Sequence, residues 1–138
     1  MKFEEFMELI EEHSKTEKGF QIALNSGCLE EKARFNQSVG FMDIYFTKGR
    51  LIANDTVLVF ENSNATPVYY SKNGEPIYPL SSNNTLFIQV AEIEDIEDVQ
   101  DYEDWFELPS TRLFNVYMFP ENDNRDGSRN VITVGFME

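Results

Sequence analysis

The sequence predicts an α+β fold, with an N-terminal helix packed on a mostly antiparallel sheet of about seven strands. Three observations carry this. The first segment is amphipathic with helical spacing, the rest breaks into short β-branched and aromatic runs, and Gly, Asn and Pro punctuate those runs. The chain has 138 residues and is 14% aromatic, with 12 Phe and 6 Tyr. That is enough for a single domain over 1–138, burying about two-thirds of its unfolded surface without disulfides. There is no internal repeat and no linker-like stretch.

Residues 2–14 form the predicted helix. Phe3, Phe6, Met7 and Ile10 fall at i, i+3, i+4 and i+7, and Glu4, Glu5, Glu8, Glu11 and Glu12 take the opposite side. Acids crowd its start, Lys15 and Lys18 follow its end, and Gly19 stops it. Phe20, Ile22 and Leu24 alternate as a strand over 20–24, and 28–38 fits either a helical turn or a polar strand. Phe41–Thr47 and Leu51–Phe60 read as strands around Lys48-Gly49-Arg50, taken as a hairpin turn, with Asn54-Asp55 bulging or breaking the second. A second hairpin turns on Asn73-Gly74, and its prolines place it at a sheet edge. Thr85–Val90 is an apolar strand. Leu113–Phe119 and Val131–Phe136 make a last hairpin around 121–130.

Between Val90 and Pro109 lies the least ordinary stretch. Residues 92–107 hold nine carboxylates in sixteen positions, and no Lys or Arg occurs between Lys72 and Arg112. The chain as a whole has 25 acids against 11 bases, a formal charge of −14. The apolar residues here, Ile93, Ile96, Val99, Tyr102 and Trp105, recur every three positions. In a helix each step of three drifts by roughly 60°, so one long helix is a poor fit. An acidic loop with short helical turns near 93–107, after a strand end at Val90 to Ile93, fits better.

Motifs for catalysis are lacking. One Cys (Cys28) and one His (His13) provide too few ligands for a zinc site and one unsupported Cys–His pair, and the glycines are too dispersed for a phosphate loop. Asn122–Gly127 resembles half of an EF-hand loop, yet Asn stands where Asp is expected and Thr133 where Glu is. No catalytic residue, metal site or cofactor is therefore expected, and the chain is not read as an enzyme. A lone cysteine and acids at the start instead of an apolar leader suit a cytoplasmic protein. The pI near 4.3 disfavours direct contact with nucleic acid or an anionic membrane and favours basic protein partners. The expected function is that of a small inhibitor acting by protein–protein contact, a nucleic-acid mimic of the anti-CRISPR or anti-restriction type. The alternative is an immunity protein that neutralises a cognate toxin. The residues expected to meet the partner are Glu94, Asp95, Glu97, Asp98, Asp101, Tyr102, Glu103, Asp104 and Trp105. The oligomeric state is not legible in the sequence.

Overall fold

The computed structural model describes residues 1–28, 37–62, 69–77, 85–100, 110–119 and 128–138. The α+β fold is observed. Helix α1 (Phe3–Ser14) is followed by β1 (Phe20–Cys28), β2 (Gln37–Phe46), β3 (Lys48–Ile52), β4 (Val57–Glu61), β5 (Tyr69–Tyr70), β6 (Pro76–Ile77) and β7 (Thr85–Gln89). A single 3-10 turn (Val90–Glu92) leads into β8 (Ile93–Asp98), and β9 (Ser110–Met118) and β10 (Ser128–Met137) complete the chain. Among the described residues there are ten strands where about seven are expected, because the run 51–60 is divided by a turn at 53–56 and 93–98 is a strand. They form a five-stranded sheet in the order β2-β1-β10-β9-β8, a three-stranded sheet β3-β4-β7 and a separate β5-β6 pair. Every pairing is antiparallel.

The two larger sheets are joined at both sides. Only Thr47 separates β2, one edge of the large sheet, from β3 of the small one, and only the 3-10 turn separates β7 from β8. The small sheet therefore faces the large one across a shared core. Phe20, Ile22, Phe114, Val116, Ile132, Val134 and Phe136 from the large sheet meet Leu58, Phe60 and Ile88 from the small one, with Phe6, Met7 and Ile10 of α1. Edge-to-face rings tie the layers: Phe20–Phe60 centroids lie 5.3 Å apart and Phe6–Phe114 5.3 Å apart. Each such pair adds about 0.5–1.5 kcal/mol beyond its buried area.

Gly49 corrects the expected hairpin at 48–50. Lys48–Ile52 is strand throughout, and the chain reverses at Ala53–Thr56, where Ala53, Asn54 and Asp55 all have positive φ (53°, 55° and 63°). Gly49 serves packing instead. A Cβ there would stand 2.6 Å from Ile10 Cγ2 and 2.8 Å from Phe60 Cε1. The Gly49 N–H donates to Ser14 Oγ at 3.0 Å, which pins the end of α1 to β3. Asn73-Gly74 does turn the β5–β6 hairpin, with Gly74 at φ +78°. No described helix is long and apolar enough to cross a membrane.

Candidate functional site: an acidic sheet edge

Residues 93–98 correct the expectation of a loop or short helix: they are β8, an edge strand of the large sheet. The spacing of three that fits no helix has a β explanation. Ile93 pairs with Met118 and Asp95 with Tyr117, so Glu94 is an extra residue in a bulge. The bulge brings both Ile93 and Ile96 onto the core side, where Ile96 is 3% exposed and Ile93 packs on the cluster. An unbroken strand would put residues three apart on opposite faces.

The carboxylates of β8 differ in their surroundings. Asp95 Oδ1 accepts the N–H of Ile96 at 2.9 Å, and the Ile96 carbonyl accepts from the amino group of Met1 at 3.2 Å. Bulge, charge and these bonds blunt the edge against addition of another strand. Glu97 closes a polar row that crosses the sheet in register. Thr133 Oγ1 donates to Asn115 Oδ1 (2.7 Å), Asn115 Nδ2 donates to Glu97 Oε1 (3.2 Å), and Tyr117 OH donates to the same oxygen (3.0 Å). Asn115, Thr133 and Tyr117 are buried at 1%, 4% and 0% exposure. Burial, and then the bond to Glu97, push the Tyr117 hydroxyl well above the usual phenol range. Asp98 is paired with Arg112 at 2.8 Å, and Arg112 also lies over the Phe114 ring.

Four of the expected contact residues, Glu94, Asp95, Glu97 and Asp98, are thus brought together on one strand. Asp101, Tyr102, Glu103, Asp104 and Trp105 lie outside the described residues, as does the half EF-hand at 122–127. Extended chain rises about 3.3 Å per residue, so β8 carries about one charge per 5 Å, well below the one per 1.7 Å of duplex DNA. One residue escaped the sequence reading. Phe119 is 49% exposed, and its N–H donates to the Glu92 carbonyl at 2.8 Å, which sets an aromatic ring beside the acids. The sequence shows it only as the last residue of the expected strand Leu113–Phe119, whereas β9 ends at Met118.

The Cys–His pair is excluded by distance. The His13 ring packs on Phe20 (4.9 Å) and Phe136 (4.8 Å), at the start of β1, while Cys28 ends that strand eight residues later, about 27 Å away. Among the described residues no group of three or more His, Cys, Asp or Glu is placed to hold a metal ion. No protein-family model matches the chain, and neither the curated proteins nor the solved structures give a significant match.

Proposed function

We propose that the chain is a small cytoplasmic binding protein, not an enzyme, that inhibits a basic protein by covering its surface with the acidic β8 edge. The observation that carries this reading is the concentration of Glu94, Asp95, Glu97 and Asp98 on one strand, with Glu92 and the exposed Phe119 beside it. Carboxylates fixed by the sheet lose little freedom on binding, and they meet Lys and Arg through charge-assisted bonds. The blunted edge favours recognition by side chains over strand addition. A nucleic-acid-binding enzyme blocked by mimicry remains the first type of partner. An immunity protein facing one basic toxin is the second reading, and Phe119 favours it, since aromatic anchors dominate the hot spots of specific protein interfaces.

The test is capture from a lysate of the source cell or its host, comparing the wild type with the Glu92→Lys/Glu94→Lys/Phe119→Ser variant. These positions avoid the internal partners of Glu97 and Asp98. The expected result is one basic protein retained by the wild type at low salt and lost with the variant, which keeps the circular dichroism spectrum of the folded protein. Equal retention by the variant, or no specific partner, overturns the proposal. Release by added nucleic acid marks the mimic, and retention through high salt marks the immunity protein.

A further inference from the structure

A second surface, built on α1, has a different character. A cleft of about 410 Å³ lies between α1, the β3–β4 turn and the 3-10 turn. Phe3, Met7, Leu51 and Val90 give it an apolar lining, and among the described residues its charged lining groups are Glu4, Glu8, Glu11 and Asp55, all acidic. Glu4, Glu8 and Glu11 fall at i, i+4 and i+7 of α1, so they form one row about 10 Å long. Asp55 comes from the β3–β4 turn, in the left-handed run Ala53–Asp55. Among the described residues none of these four carboxylates is paired with a Lys or Arg.

We infer that this cleft is a docking site for a basic amphipathic segment of a partner protein, with one or two apolar side chains seated inside and Lys or Arg along the rims. Charge complementarity selects that occupant. A negative rim repels nucleic acid and anionic lipid, and a purely polar cation would leave the apolar lining unused. The carboxylates are also too dispersed to be grouped as a metal site. The volume falls in the range of about 300–1,000 Å³ typical of ligand sites. Acids spaced by one helical turn match cations spaced by one turn on a partner helix, which is the helix-in-groove mode of recognition. The inference adds a site to the function proposed above without depending on β8.

The test is a titration of the isotope-labelled protein with a synthetic amphipathic Leu/Lys peptide, followed by amide chemical shifts. Two controls accompany it: the same peptide with Ala for Leu, and the full-length Glu4→Gln/Glu8→Gln/Glu11→Gln protein. Gln keeps helix propensity close to that of Glu, so the variant retains its melting temperature. The expected result is saturable shifts at Phe3, Glu8, Leu51, Asp55 and Val90, with roughly tenfold weaker binding in either control. Three outcomes overturn the inference: no saturable shift, shifts centred on 92–98, or equal binding of the Ala peptide. The last would reduce the cleft to a diffuse attraction between charges.

Discussion

Glu97 offers the sharpest check on how the acidic edge is built. Its carboxylate is the acceptor for two donors, Tyr117 OH and Asn115 Nδ2, on residues that are 0% and 1% exposed. Glu97→Ala removes the acceptor and leaves both donors in a site from which water is largely excluded. Each stranded buried donor costs about 1–3 kcal/mol, and partial rescue by water entering the vacated space lowers the sum, so a loss of about 2–4 kcal/mol is expected. Glu97→Gln keeps an amide oxygen in the same place and loses only the charge assistance, about 1 kcal/mol. In the double variant Glu97→Ala/Tyr117→Phe one stranded donor is gone, so the loss should fall short of the sum of the single effects. Urea unfolding at neutral pH, with free energies from the linear extrapolation, reads the wild type, these three variants and the single Tyr117→Phe variant. A loss below about 0.5 kcal/mol for Glu97→Ala would refute the polar row as a stabilising element, and Glu97 would then be one more solvated acid.

Two further predictions concern the core and its ionisation. Gly49→Ala should destabilise by about 1–3 kcal/mol, since its Cβ would meet the fully buried Ile10 and Phe60 at 2.6 and 2.8 Å; a melt within error of the wild type contradicts that packing. His13 titrates below its ordinary value of 6.5 because burial penalises its charged form, more than the bond to the Gly19 carbonyl favours it. The unfolded chain then binds the proton more readily than the folded one. Its contribution is fully present above pH 6.5 and is lost as the pH falls below that value. Stability should therefore drop between pH 7.5 and about 5.5 in the wild type and stay flatter in His13→Gln; parallel profiles would remove His13 as the cause.

Much of the fold was legible because it rests on local signals. The α1 stripe, the alternation after Gly19 and the Asn73-Gly74 turn each act within a few residues, and each is where the sequence places it. Gly49 misled because glycine serves both turns and close approaches, and its true neighbours, Ile10 and Phe60, are far away in sequence. Three left-handed residues without glycine, at Ala53–Asp55, gave only the weak hint of Asn-Asp. β8 misled because a bulge changes the side-chain period, and a period of three then resembles a faulty helix. Glu97 looked like any other acid, because the residues that hold it, Asn115, Tyr117 and Thr133, stand on strands that meet it only in the folded sheet. Phe119 became visible as a surface aromatic only once the backbone bond to Glu92 fixed its place.

Hydrogen–deuterium exchange on the complex with the captured partner tests the proposed edge most directly. Slowed exchange in peptides covering 92–98 and Phe119, weakened in the Glu92→Lys/Glu94→Lys/Phe119→Ser variant, is the result predicted. Full occupancy by the partner with exchange at 92–98 and Phe119 unchanged would contradict the assignment of β8 as the docking edge.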